Sequence, residues 1–162
     1  MNAVAAAPAS LAPTCPYCGK LSVYLASSES VYGGRNFGAL WICTPCGAWC
    51  GCHPGTNLPL GRLADATLRR AKMDVHNAFD PLWMNVREAY PEATGGLGKL
   101  RGIARSRAYA WLAERLGIPA RETHIGMFDV VTCRRAIEII EREKPTPASI
   151  RARAKARGEV RS

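Results

Sequence analysis

The sequence predicts an α+β fold in which a small N-terminal β unit packs on a C-terminal helical bundle of about four helices, followed by a basic tail. Three observations lead there. The stretch "CPYCGK" at residues 15–20 is echoed by "CTPCGA" at residues 43–48. Around these pairs the apolar residues alternate over short runs, and from Gly61 onward they recur every three or four positions instead. Last, the basic residues gather late: Lys and Arg outnumber Asp and Glu by 15 to 7 over residues 95–162, against 5 to 5 over 61–94 and 2 to 1 over 1–60. The boundaries that follow are a tail over 1–13, a β unit over 14–60, a helical domain over 61–143 and a basic tail over 144–162.

The opening "MNAVAAAPASLAPT" lacks the charged n-region and continuous apolar h-region of a secretory signal, and reads as a disordered Ala/Pro/Ser tail. No run approaches the roughly 18 apolar residues that a membrane span needs. Seven cysteines, an odd number, point to a reducing compartment such as a cytoplasm, where thiols bind metal or stay free.

Cys15 and Cys18 are separated by two residues, as are Cys43 and Cys46, and a glycine follows each pair. A tight turn of this kind brings two thiolates to one side, and the glycine permits the positive φ that closes it. Four thiolates make a closed tetrahedral site for one structural Zn2+ ion. Between the pairs, "KLSVYLASSESVYG" and "GALWICTPC" read as β-strands joined by a "GGRNFG" turn, which makes the unit a zinc ribbon. So small a sheet buries too little to fold alone, so metal binding is expected to be coupled to folding. Cys50, Cys52 and His53 are candidate ligands of a second zinc if His76, His124 or Cys133 supplies a fourth; the favoured reading places Cys50 and Cys52 along the departing strand as small buried residues and His53 at the start of the Pro-Gly turn "HPGTN".

In "GRLADATLRRAKMDVHNAFD", Ala64, Leu68, Ala71, Val75 and Ala78 form one helical stripe. Asp80 as N-cap and Pro81 at the first position predict a second helix, "PLWMNVREAY". The stretch "PEATGGLGKLRG" fails the phosphate-loop pattern at Ala93 and Leu100 and reads as a flexible basic connector. A third helix is expected from Ser106 to the stop signals Gly117 and Pro119, and a fourth from Asp129, burying Val130, Cys133, Ile137 and Ile140. The prolines after Lys144 and "SIRARAKARGEVRS" predict a tail that is disordered unless an anion orders it.

With "CPYCGK", "YGG", "GCHPGT", "PLGRLAD", "FDPLW", "AYAWLAERLGI" and "HIGMFDVVTCRRAIEII" on the page, residues 14–143 resemble a family of zinc-finger-containing proteins of bacteriophages and prophages. The resemblance implies a zinc-binding N-terminal module and a phage or prophage origin. It also includes positions matching Cys52, His53, Asp80, Trp83, His124 and Asp129, whereas Cys50 departs from it.

Three functions fit these observations. The first is a non-catalytic nucleic-acid-binding accessory protein, with Lys99, Arg101, Arg105, Arg107, Arg151, Arg153, Lys155 and Arg157 on phosphates. The second is a phage modulator or inhibitor of a host protein, acting through aromatic contacts such as Trp49 or Trp83. The third is a metal-dependent nuclease. For it, "HNAFD" and "HIGMFD" offer His76, Asp80, His124 and Asp129, with His53 as a further candidate. Both aspartates read equally as helix caps, and a catalytic metal site usually offers more acidic groups, so the binding role is read ahead of the enzyme.

Overall fold

The computed structural model describes residues 11–158. The chain falls into two compact units, one reaching to Arg69 and the other starting at Arg70.

In the first unit, β1 (Val23–Leu25), β2 (Leu40–Ile42) and β3 (Trp49–Gly51) form an antiparallel sheet in the order β1-β2-β3. Tyr24 stands opposite Trp41, and Trp41 opposite Cys50. Because side chains alternate across a pleated sheet, these three share a face. That face carries the core: Cys15, Trp41, Cys43, Ala48, Cys50 and Leu63 are buried together, with Leu11, Ala12, Tyr24 and Cys52 packed against them. The Trp41 indole N–H donates to the Asn57 carbonyl (2.8 Å), so the largest side chain of the core leaves no polar atom unpaired.

The β-strands are shorter than expected. Ser28, which is buried, accepts a hydrogen bond from the Phe37 amide at 2.7 Å, and Asn36 accepts one from the Gly38 amide at 2.9 Å. Side chains thus satisfy backbone donors over residues 26–39, where the sequence suggested ladder bonds and a short turn. The tail expected over 1–13 also changes. Residues 1–10 lie outside the described residues, but Leu11 and Ala12 join the core, and the Pro13 carbonyl accepts from both the amide and the hydroxyl of Ser22. Ala64 pairs with Trp49 through two backbone bonds, which carries the unit past Gly61 to the Asp65 cap of the first helix.

The helices are α1 (Ala66–Phe79), α2 (Pro81–Met84), α3 (Val86–Ala89), α4 (Leu97–Leu116), α5 (Val130–Glu143) and α6 (Pro147–Ala156). Within the second unit α4 is the hub, touching α2, α3, α5 and α6. The single helix expected after Pro81 is two single turns, because Asn85 leaves helical geometry (ψ 54°) between them. The second half of the expected flexible connector, from Leu97, is instead the start of α4. Gly96 takes a left-handed conformation (φ +67°) before it, and Leu97 and Leu100 pack against Val86, Ala89, Tyr90 and Ala104. That packing outweighs the roughly 1 kcal/mol that each helical glycine, Gly98 and Gly102, costs. Ser106 is therefore mid-helix and not a cap; its hydroxyl donates to the Gly102 carbonyl.

The basic tail predicted to be disordered is largely α6. Its start is a capping box: Thr146 accepts from the Ser149 amide (3.1 Å) and Ser149 from the Thr146 amide (2.9 Å), with Pro147 at the first turn. Ile150 and Ala154, four apart, are buried, and α6 packs on α3 and α4. Two apolar residues in a run of arginines are a faint signal, which is why charge dominated the reading. Residues 159–162 lie outside the described residues.

Candidate metal centre

The two cysteine turns are built alike. In the first, the Cys15 amide donates to the Lys20 carbonyl (2.8 Å) and the Gly19 amide to the Cys15 carbonyl (2.9 Å). In the second, the Cys43 amide donates to the Ala48 carbonyl and the Gly47 amide to the Cys43 carbonyl, both at 2.8 Å. Gly19 (φ +72°) and Gly47 (φ +65°) supply the left-handed residue that closes each loop, a conformation costing a side chain about 1–2 kcal/mol. The turns leave Cys15 and Cys43 buried, Cys18 and Cys46 exposed.

All four sulfur atoms lie within 4.8 Å of one another, and Cys18 Sγ is 3.4 Å from Cys43 Sγ. A tetrahedral zinc with Zn–S bonds of about 2.3 Å spaces its ligands about 3.8 Å apart, inside that range. Donor number, donor type and spacing all fit Zn2+. The chain belongs to a zinc-finger-containing family. The family model, described as a zinc-finger-containing domain, matches residues 12–143. No curated protein and no solved structure matches the chain.

The electrostatics of this zinc-finger centre are divided in the absence of a cation: the Cys18 thiol is lowered, while burial raises that of Cys43. The backbone N–H of Lys20 is the main influence pulling the Cys18 thiol down to about 7, helped by the thiols of Cys46 and Cys43. A charge already on Cys18 makes the next proton harder to lose, and Cys46 is pushed up to about 12, first by Cys18 and then by burial. A divalent cation removes that conflict by neutralising the thiolates together. With four protein ligands the site has no open position, so its chemistry is structural.

The remaining cysteines of the zinc finger stand apart from the cluster. Cys50 is buried opposite Trp41, and Cys52 packs against the same core, where burial raises its thiol. Cys133 is buried in α5 and pushed up to about 11 by desolvation.

Among the described residues no other group of three or more His, Cys, Asp or Glu side chains is placed to hold a metal. His53 is exposed at its Pro-Gly turn, where its amide bonds the Leu58 carbonyl. Asp129 caps α5, accepting from the Thr132 amide at 2.7 Å. Asp80 is no side-chain cap, contrary to expectation. It is itself in helical geometry (φ −61°, ψ −35°), accepts from the Trp83 indole at 3.0 Å and faces His76 Nδ1 at 3.2 Å. His124 is exposed, with its ring 5.4 Å from that of Tyr109.

The basic residues divide by their partners. Arg151 bonds the Ala89 carbonyl and the Glu92 carboxylate and lies over the Tyr90 ring. Arg157 bonds Glu114, and Arg107 bonds the Tyr90 hydroxyl. Arg105 lies over Trp83 and Tyr109. Lys99, Arg101, Arg153 and Lys155 are exposed. A shallow crevice between α4 and α6 is lined by Arg107, Arg153 and Arg157 beside Trp111 and Glu114.

Sequence reasoning missed a group of aromatic residues on the first unit. Tyr32 meets both Phe37 and Trp49, and Arg69 lies over the Trp49 ring. The visible signal was "VYGGRNFG", where two aromatic residues flank a run rich in glycine and were read as strand and turn.

Proposed function

We propose that this zinc-finger protein is a phage-type, non-catalytic accessory protein that binds nucleic acid. The observation that carries the reading is the basic crevice between α4 and α6, with exposed Lys99, Arg101, Arg153 and Lys155 on the same two helices. Helix formation converts what would be a solvated charged tail into cations at fixed positions, and fixed cations neutralise phosphates with less loss of conformational entropy. The net charge of +9 supports the same reading by drawing a polyanion to the surface. In this role the zinc holds the first unit folded and takes no part in chemistry.

Binding of fluorescent single-stranded and duplex oligonucleotides, followed by anisotropy between about 50 and 200 mM salt, tests this. Affinity should fall steeply with salt, and an Arg101→Ala/Arg153→Ala variant should bind more weakly with a shallower slope. Absence of binding to either form at the low-salt end would overturn the reading.

A further inference from the structure

The sheet face opposite the Trp41 core carries side chains that the zinc centre does not use. In the sheet register Val23 stands opposite Ile42 and Ile42 opposite Trp49, so this row faces away from the Trp41 core. The 26–39 connection folds over its Trp49 end. Tyr32 lies 5.3 Å from Trp49 and 4.7 Å from Phe37 between ring centroids, both edge-on. The Arg69 guanidinium sits 4.7 Å from the Trp49 centroid, held there by a 2.6 Å bond to the Ala64 carbonyl.

Phe37 is 68 % exposed, the most exposed large hydrophobic side chain among the described residues. Its backbone is nonetheless tied down by the 2.7 Å bond to the buried Ser28 hydroxyl. A loop ordered by hydrogen bonds so as to hold a phenyl ring in water does not lower the free energy of the isolated chain by that placement. An edge-to-face contact covers one face of one ring in each pair, and Arg69 lies over Trp49, so the surface left for a further ring is chiefly that of Phe37, with exposed Tyr32 beside it. Against the loop's one acidic residue, Glu29, stand Arg35 in the same loop and Arg69 beside Trp49.

The geometry points to a stacking platform for the unpaired bases of a single-stranded nucleic acid, formed by Phe37 and Tyr32 and backed by Trp49, with Arg35 and Arg69 on its phosphates. Open aromatic faces accept any base, and neighbouring guanidiniums supply both phosphate contacts and cation–π attraction. A duplex keeps its base faces covered by stacking and cannot use the platform. This rests on the nucleic-acid reading above and narrows it to unpaired strands.

The test uses the full zinc-loaded chain with Phe37→Ala and Phe37→Trp variants, binding a single-stranded oligonucleotide and a duplex of the same sequence, with zinc content and sedimentation measured alongside. Phe37→Ala should weaken single-strand binding by roughly 5- to 150-fold, the range of one lost base stack. Duplex affinity should stay unchanged, and Phe37→Trp should retain single-strand affinity. If Phe37→Ala leaves single-strand affinity unchanged while the wild type binds, the platform is wrong and the accessory function stands. If the wild type binds neither form, both fall. A dimeric wild type that Phe37→Ala converts to a monomer with unaltered single-strand binding would assign the face to a second copy instead.

Discussion

Cys18 and Cys43 are 25 positions apart in the chain, yet their sulfur atoms lie 3.4 Å apart. The two turns that hold them make the same pair of backbone bonds, so the zinc centre joins the chain's first cysteine turn to its second across the sheet. Cys15 and Cys43 also belong to the unit's buried core, which makes the metal part of the packing.

Substituting Cys43→Ser should therefore remove the zinc and unfold the first unit together. Structural zinc in small domains contributes an apparent 10–16 kcal/mol or so, far more than a three-stranded sheet can replace. Elemental mass spectrometry should read one zinc per chain in the wild type and none in the variant, and near-UV circular dichroism should lose the Trp41 and Trp49 signals. Zinc retained at full occupancy would contradict this ligand set.

A milder lesion is Gly47→Ala. No atom lies near enough to clash with the added methyl, so the cost comes from its left-handed backbone alone, about 1–2 kcal/mol. Competition with a chelator should show zinc affinity reduced by roughly 5- to 30-fold, with Gly19→Ala behaving alike.

Docking of α6 should weaken in acid. Arg151 holds the Glu92 carboxyl below its ordinary range, and Arg157 does the same to Glu114. Groups with lowered folded values stabilise above the unfolded value, about 4.3, and lose that contribution as pH falls through the folded values. Amide exchange along α6 should accelerate below about pH 4 relative to α4, and a Glu92→Gln/Glu114→Gln variant should show less of this pH dependence. Ile150→Ala should destabilise the second unit at all pH values by about 2–5 kcal/mol through the buried methyls it deletes.

Cys133 should resist alkylation in the folded protein. With its thiol pushed up to about 11, only about one molecule in a thousand carries the thiolate at pH 8, and the side chain is buried besides. Mass spectrometry after iodoacetamide treatment should find Cys133 unmodified until denaturant is added.

Removing the Asp80 carboxylate should matter to packing more than to metal. Asp80→Ala strips the Trp83 indole of its partner and should cost about 1 kcal/mol, read as a small drop in thermal midpoint at unchanged zinc content.

The sequence by itself determined the zinc ligands, because a metal demands a fixed donor type at fixed spacing and a glycine must follow each turn. It also determined the cap at Asp129 and the burial of Cys133 and Ile140 in α5, where the signals are local, although Ala136 and Ile139 complete the buried face and Val130 and Ile137, expected there, are only half-buried. Only the tertiary structure decided the rest. Leu97 and Leu100 turn a glycine-rich run into helix by packing on Tyr90, and Ile150 and Ala154 dock a segment whose charge suggested disorder. Asp80 abandons its capping role for Trp83, and Phe37 is held in water by a serine nine positions away. Each of these outcomes depends on a specific side-chain partner, from three positions away for Asp80 to the far side of the unit for Ile150, and such a contact outweighs the backbone preferences that a pattern can reveal.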